Sequence, residues 1–466
     1  MFVDTAKIKF DAEPTVSKKM TSAIDAWMNT YRGVPEWANA DDVKTINFAA
    51  TVCEETARLT TLDIGINLSG GARAAFLQKE LDKQLLPRLR DFVEYGAAGG
   101  TVIFKPSGKG IDVITPDRFM VTEYDDNKKI TGVIFQDGYT QGKDIFTKLE
   151  YHRFERRRSR EEETRTVYVI STKCFRSQNS AEIGREIPID STRWRGIEPE
   201  VEIIKQNDEQ VDSPLFGVFK MPKANNIDLD SPLGMAIFAN AMQEMEDLDI
   251  AYSRNSDEIN NSNTIELLDD ALLQREGVKG SRVHLPSHVH NVFGNGMESF
   301  YQQIDRPLKT GERRVGINQQ LSFIGYKCGY SEGYFVFDQK TGLVTATQVE
   351  STDRRTIQLI KDVRDGLKEA LRETIYALNV LADLYERAPV GTYTVDFDFG
   401  DITYNEDEDR NRWYQLMMQG IIPKWYYLVK HEGMGEDEAK AIVAAADEAN
   451  AARTALFAEA AETAGT

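Results

Sequence analysis

Cysteine is scarce in this chain: three in 466 residues, Cys53, Cys174 and Cys328, far apart and odd in number. That excludes a disulfide framework or a cysteine-built zinc site and fits idle thiols in a reducing compartment. Long apolar runs are missing too. No stretch approaches the roughly 18 residues a membrane span needs, and the opening MFVDTAKIKFDAEP has no apolar signal core. The expected location is therefore the cytosol or a particle assembled there, with no membrane partner. Basic charge is in deficit. Lys and Arg number 56 against 75 Asp and Glu, a net charge of −19. Phosphate contacts need a basic footprint, so an ordinary DNA-binding protein is excluded.

Nucleotide motifs are absent as well. The nearest approach to a phosphate loop, Gly138–Asp144 (GYTQGKD), is one residue short, and Asp144 stands where a magnesium-binding hydroxyl is required. The fragments Gly108–Gly110 and Gly294–Gly296 lack a third glycine opening a helix. ATP hydrolysis by this chain is not expected.

What is present is a globular composition. With 41% hydrophobic and 28% charged residues the chain is neither collagen-like nor largely disordered. At about 150 residues per domain, its length suggests three domains. The first hundred residues read as helical. Ala40–Asp41–Asp42 suits the cap of a helix running toward Leu59. Gly71–Tyr95 reads as one helix, with Leu81, Leu85, Leu89 and Phe92 on one face beside Phe76 and Val93. Gly96–Gly100 stops it.

From Thr101 to about Lys220 the pattern changes to short β-type runs, Thr101–Lys105, Ile130–Phe135, Thr166–Ile170 and Val201–Ile204, with a turn at Asp125–Asn127. This predicts a mostly antiparallel β module. Within it, Arg153–Arg165 (RFERRRSREEETR) switches from basic to acidic, which suits a docking surface or a solvated hairpin tip. Ser231–Pro232 reads as an N-cap with proline at the first helical position. The helix it opens carries Met235, Phe238, Met242, Met245, Leu248 and Tyr252 as a stripe and stops at Asn260–Asn263. Short strands are expected over Ile265–Ile304 and a second helix over Lys309–Tyr326.

The longest element begins at Thr345. Ile360, Val363, Leu367, Leu371, Ile375, Leu378, Ala382 and Tyr385 share one face, and Pro389 follows. At about 1.5 Å per residue it spans on the order of 60 Å, more than a small domain. Gly366 in its middle is a candidate bend. Short helices around Trp413–Met418 and Lys424–Lys430 precede an Ala-rich amphipathic helix from Glu436 toward Glu462. Long helices that outreach one core imply burial against neighbouring copies of the chain.

Three constellations invite a catalytic reading. Gly329–Tyr330–Ser331–Glu332–Gly333 matches the GxSxG pattern of serine hydrolases, which needs a strand before the serine and a helix after it. Here a helix precedes and strand-like YFVF follows, so a helix C-terminus with turn glycines is expected. His284, His288 and His290 lie close together, and the last two share a strand face, yet Pro286 breaks the run and no cysteine or paired carboxylate accompanies them. They read as surface or interface histidines. Asp396, Asp398 and Asp401, then Glu406, Asp407, Glu408 and Asp409, form the densest acidic region. A two-metal nuclease needs carboxylates converging within about 4 Å of both ions, whereas the later four suit a helix first turn. No catalytic residue, metal or cofactor is expected, and the chain is not expected to be an enzyme. The alternative is a nuclease or hydrolase using the acidic cluster or Ser331.

Gly329–Ser351, GYSEGYFVFDQKTGLVTATQVES, resembles the segment that precedes the longest helix in portal proteins of tailed bacteriophages, in the branch found in long-tailed phages and prophages of Gram-positive bacteria. Gln348 stands where the family usually has glutamate, and Val344 where lysine is common. Further similarity covers Asp117–Phe119, Asp125, Lys129–Phe135, Asn225–Ile227, Ser231–Gly234, Ile237–Phe238, Trp413–Gly420 and Gly433–Gly435, in the family's order, from about Gly71 to Ala445.

The resemblance implies an α+β portal fold. Residues 1–230 would be the wing, helical and then β-rich. Residues 231–264 and 309–328 would be two stem helices flanking a small α/β clip at 265–308. A tunnel loop and long kinked helix would occupy 329–395, and a helical crown 396–466. It also implies a homo-oligomeric ring, dodecameric in the virion, at one capsid vertex, through which a separate terminase pumps double-stranded DNA. The implied partners are the terminase large subunit, a head-completion adaptor, and capsid and scaffolding proteins. A non-channel structural head protein shares the composition but gives no reason for the loop and long helix.

A conduit must centre the duplex without binding it, and an acidic wall repels a polymer with one charge per about 1.7 Å. The residues expected to meet DNA in the tunnel loop are Asp338, Gln339, Lys340, Thr341, Gly342, Leu343, Thr345 and Gln348. Lys340 and Thr341 would touch phosphates transiently, with Arg354 and Arg355 next along the helix. The plainer alternative is that Lys340–Gly342 merely closes a hairpin.

Overall fold

Ser17 opens the first helix, α1 (Lys18–Tyr31), its hydroxyl accepting from the Met20 N–H at 3.3 Å, which satisfies one of the orphan donors of a helix start. The protein is an α+β chain. The computed structural model describes residues 9–39, 43–107, 110–158, 164–179, 182–204, 210–260, 265–269, 289–292, 301–304, 309–337, 346–400, 406–432 and 434–449. Helix α2 (Phe48–Thr60) begins later than the sequence suggested. Asp41 and Asp42 lie outside the described residues, and residues 43–47 form neither helix nor strand because another helix claims their backbone. Lys44 N–H donates to Ser253 Oγ at 2.8 Å and Ile46 N–H to Asp249 Oδ1 at 2.9 Å.

Strand β1 (Ile64–Gly70) leads to α3 (Ala72–Gln84) and α4 (Leu89–Gly99). The single helix expected over Gly71–Tyr95 is thus divided. Pro87, in the 3-10 turn Leu86–Arg88, has no N–H to continue the ladder. The stripe of Leu81, Leu85, Leu89 and Phe92 is buried nonetheless. Gly100 ends α4 at φ +76°, and a Cβ there would sit 2.5 Å from the Gly234 carbonyl oxygen.

The β module is antiparallel throughout. Strands β2 (Thr101–Ser107), β3 (Gly110–Ile114), β4 (Phe119–Tyr124), β5 (Ile130–Gln141), β6 (Asp144–Arg158), β7 (Thr164–Ser177), β8 (Arg185–Ile187), β9 (Glu200–Ile203) and β10 (Gly217–Lys220) make two sheets. One has the order β10–β2–β3; the other is β4–β5–β6–β7–β8, with β9 also on β7. The charged run lies at the free end of the β6–β7 hairpin, with residues 159–163 outside the described ones. There Arg157 pairs with Glu155 at 2.8 Å, Glu200 at 2.7 Å and Glu202.

A buried polar chain joins the two sheets. Leu215 N–H donates to Tyr168 Oη at 3.2 Å, the Tyr168 hydroxyl faces His152 Nδ1 at 2.9 Å, and His152 Nε2 faces Glu150 Oε1 at 2.7 Å. Glu150 also accepts from Lys105 on β2 at 2.9 Å and from Lys148 at 2.8 Å. Burial holds His152 below its ordinary pKa. Burial opposes the Glu150 charge, but Lys105, the His152 hydrogen bond and Lys148 outweigh it and hold the carboxyl well below the usual range. Neutral His152 therefore donates through Nε2 and accepts from Tyr168 through Nδ1.

Ser231–Phe238 is not helical, contrary to the expected N-cap at Ser231. Met235 and Phe238 are buried as foreseen, but the backbone there bonds to the end of α4 instead of to itself. Gly234 N–H donates to Thr101 Oγ1 at 2.8 Å and Ile237 N–H to Ala97 O at 2.9 Å. Helix α5 (Met242–Asn260) starts only after this docking. A three-stranded sheet follows, β12–β11–β13, from β11 (Ile265–Asp269), β12 (Val289–Val292) and β13 (Tyr301–Ile304). Then α6 (Thr310–Cys328) returns antiparallel to α5. Glu258 accepts from Lys309 N–H at 2.7 Å and pairs with Arg313, while Lys327 pairs with Glu244 at the opposite end.

Helix α7 (Ala346–Leu384) is the longest element, 39 residues. The predicted stripe from Ile360 to Ala382 is buried; Tyr385, just past the helix, is exposed. Ala370, Thr374, Ala377 and Val380 are buried too, so the helix is covered on more than one side. At Gly217 of β10 a Cβ would lie 2.2 Å from the Ala370 carbonyl, and Val218 N–H donates to Glu373 at 3.0 Å. The helix continues unbroken through Gly366, where a Cβ would come within 3.1 Å of the Lys220 carbonyl.

Two buried arginines cap helix ends, where cations suit the dipole. Arg364 donates to the carbonyls of Thr60 at 3.0 Å and Leu62 at 2.9 Å, at the end of α2. Arg73 pairs with Asp383 and donates to the carbonyls of Ala388 and Pro389 at 2.9 Å, at the end of α7. Strand β14 (Tyr393–Phe399) then pairs antiparallel with β1. Arg364 and Lys368 lie over Phe399, and Arg372 over Phe397.

The chain divides into two compact units, Met1–Leu343 with Ser351–Phe399, and Val344–Glu350 with Gly400–Thr466. The second contains α8 (Glu406–Met418), α9 (Lys424–Glu432) and a helical stretch at 436–449. Lys430 stacks on Trp413 at 3.6 Å, Arg410 pairs with Glu432, and Ala439 is buried. Among the described residues no helix is long and apolar enough to cross a membrane.

Candidate functional site

Where α6 ends, the chain has to reverse before it enters α7. Gly329 makes the C-cap at φ +105°, in the left-handed region glycine tolerates. The next residues anchor to two other helices. Thr56 of α2 gives its own hydroxyl proton to Val52 O at 2.7 Å, so Tyr330, fully buried, is the donor in their 2.6 Å hydrogen bond. Ser331 N–H donates to Thr356 Oγ1 of α7 at 2.9 Å. In return Ser331 Oγ accepts from the Thr356 hydroxyl at 3.0 Å and N–H at 3.3 Å. Tyr334 donates to Glu55, and Phe335 meets Phe48 edge-on at 5.2 Å. Phe337 N–H donates to Asn318 Oδ1 at 3.3 Å, while its ring is 67% exposed, so the buried path ends there.

Burial and opposite charges set the electrostatics of this junction. The Arg58 guanidinium donates to both oxygens of Glu55, at 2.8 and 2.6 Å, and holds that carboxyl below its usual range. Burial, reinforced by the Glu55 carboxylate, raises the Tyr334 phenol. Burial also pushes the Cys328 thiol up to about 12, leaving it inert as a nucleophile. Lys223 is held below its usual pKa by burial, its ammonium donating to the carbonyls of Ile237 at 2.7 Å and Lys327 at 3.1 Å.

Of the expected channel residues, Asp338, Gln339, Lys340, Thr341, Gly342, Leu343 and Thr345 lie outside the described residues. Gln348 is in the first turns of α7, its side chain likewise outside them. Arg354 and Arg355 are exposed on the same helix. Arg355 stacks on Tyr326 at 3.8 Å and donates to its carbonyl at 2.8 Å, so this guanidinium already ties α7 to the end of α6.

Among the described residues, two of the catalytic alternatives can be placed. Ser331 is 3% exposed and its hydroxyl is engaged by Thr356, which corrects any nucleophile reading. Asp396 and Asp398 are exposed on one face of β14, opposite Asn67 and Gly65. Asp401 and the side chains of Glu406–Asp409 lie outside the described residues, as do His284 and His288. His290 falls in β12, paired with Leu267 of β11. Among the described residues no group of His, Cys, Asp and Glu is arranged to hold a metal. Sequence reasoning missed Thr56 and Thr356, since nothing marks a threonine as the partner of a residue hundreds or tens of positions away. The aromatic, glycine-flanked GYSEGYF was the available signal.

No family model and no curated protein matches the sequence. Among solved structures, the chain is similar to one in the virion of a native gene transfer agent particle, at TM-score 0.40 and 10% identity, over 89% of this chain and 93% of that one. It is also similar to one in the neck of the native gene transfer agent particle computed with C12 symmetry, at TM-score 0.42 and 11% identity, over 92% and 97%.

Proposed function

We propose that this chain is the portal protein of a tailed-phage-like particle, a structural component of the virion. It would form a homo-oligomeric ring at one capsid vertex, through which double-stranded DNA is packaged and ejected. The observation that carries the reading is the order of elements around the junction. An antiparallel helix pair, α5 and α6, brackets the small sheet β12–β11–β13 and is followed, after residues 329–345, by the 39-residue helix α7. That is the stem, clip, stem and long-helix order implied by the family resemblance of Gly329–Ser351. On this reading α5 and α6 are the stem and residues 265–308 the clip that meets terminase and the adaptor. Asp338–Leu343, Thr345 and Gln348 are the tunnel loop, followed by Arg354 and Arg355.

The ring acts without chemistry of its own. The net charge of −19, repeated around a ring, repels the duplex and keeps it from sticking. A few polar and basic side chains of the loop meet phosphates in passing. Negative-stain microscopy and native mass spectrometry of the purified protein test the ring: particles with a central hole are expected, and persistent monomers under assembly conditions refute it. Deleting Lys340–Gly342 is expected to leave rings intact and impair packaging or DNA retention. Normal packaging by that deletion removes the loop from the mechanism.

A further inference from the structure

The hydroxyls of Ser331 and Thr356 serve no catalysis, yet they are buried, reciprocal and close a loop of 25 positions. We propose that this pair, with Tyr330 on Thr56, is a staple that positions the tunnel loop. It fixes the point where the chain departs toward residue 338 against α7 at Thr356, on the returning side. The consequence for DNA rests on the portal reading; the mechanical part does not.

The argument begins with the two ends. On the departing side, Tyr330, Tyr334 and Phe335 tie residues 330–335 to α2 through Thr56, Glu55 and Phe48. On the returning side, two contacts hold α7 beside α6 at positions 355 and 356: Arg355 on Tyr326, which is 56% exposed, and Thr356 on Ser331, which is buried. A hydrogen bond in water competes with solvent, whereas a buried one does not, so the Ser331–Thr356 pair carries the constraint. From there α7 is packed along its length by β10 and the core. A pull on the loop by moving DNA is therefore shared between this buried pair, Arg355 beside it, and Tyr334, Phe335 and Phe337 on the departing side. Ser331 and Thr356 are positioning residues and touch no DNA themselves.

The test uses the full chain with Ser331→Ala, Thr356→Val and Thr356→Ser, plus Val380→Ala, a core variant far from the staple, as a control for lost stability. Hydrogen exchange reads the mechanical part. The Ser331 and Thr356 amides are expected to exchange roughly tenfold faster in the first two variants, about the worth of one buried hydrogen bond. Thr356→Ser, which keeps the hydroxyl, is expected to stay at the wild-type rate. Packaged DNA per particle reads the functional part: a loss at unchanged ring yield, greater than that of Val380→Ala and rescued in Thr356→Ser, is expected. Unchanged exchange overturns the staple, and so does packaging equal to the control. If the unmodified protein forms no ring, the portal reading fails, and the exchange experiment still decides the staple.

Discussion

Replacing Glu150 by glutamine is the most informative test of how the two sheets are held together. The change keeps size, turns one acceptor oxygen into an NH2 donor and removes the charge that faces Lys105 and Lys148, whose side chains are 7% and 10% exposed. Two nearly buried ammonium groups would then lose their counter-ion. Breaking a buried pair from one side costs about 3–5 kcal/mol, far above the 0–1 kcal/mol of a surface pair. The loss should be local to the seam between β2 and β6, because Lys105 comes from one sheet and Glu150 from the other. Segment-resolved hydrogen exchange is the assay: amides of β6 and β7 in Glu150→Gln should open about a hundredfold more readily or beyond, while those of α1 keep their protection. Replacing Lys105, Lys148 and Glu150 together by Met, Met and Leu should restore stability to within about 1 kcal/mol, since an apolar cluster of similar volume needs no desolvation of charge. A cost below about 1 kcal/mol for Glu150→Gln alone refutes the view that the carboxylate is what makes this buried cluster tolerable.

Acid should weaken the same seam in two stages. His152 has its folded pKa lowered from 6.5, so its contribution is complete above 6.5 and declines as pH falls below it, when only the unfolded chain takes up the proton; Glu150, lowered from 4.5, adds a second loss below 4.5. A urea midpoint independent of pH between 7 and 4 would contradict this. Gly217→Ala should be among the costliest single-methyl changes, because its Cβ would stand 2.2 Å from the Ala370 carbonyl of α7. Overpacking of this kind costs about 1–3 kcal/mol, read as a lower melting temperature, and an unshifted melting curve would show that β10 and α7 can separate freely.

The sequence by itself determined what depends on neighbours along the chain. The period of the apolar stripe on α7, from Ile360 to Ala382, identified a long helix and its buried face, because side chains three and four apart share a face whatever they pack on. The β runs and their antiparallel character were likewise legible, as was the unsuitability of Ser331 as a nucleophile: the helix before GxSxG already contradicted a nucleophile elbow, and the structure shows Ser331 buried on Thr356. Tertiary structure alone decided the rest. Ser231–Pro232 carries a sound local start signal, yet Gly234 and Ile237 give their N–H groups to Thr101 and Ala97, and a backbone donor can be used only once. Asn47, rather than the acidic pair before it, precedes α2 because Asp249 and Ser253 of a distant helix take the intervening amides. Nothing local in the sequence marks Glu150, Arg73 or Arg364 for the interior; they are buried or nearly so because lysines or helix-end carbonyls from remote segments satisfy them. Such partners are matched in space, and no local pattern announces them.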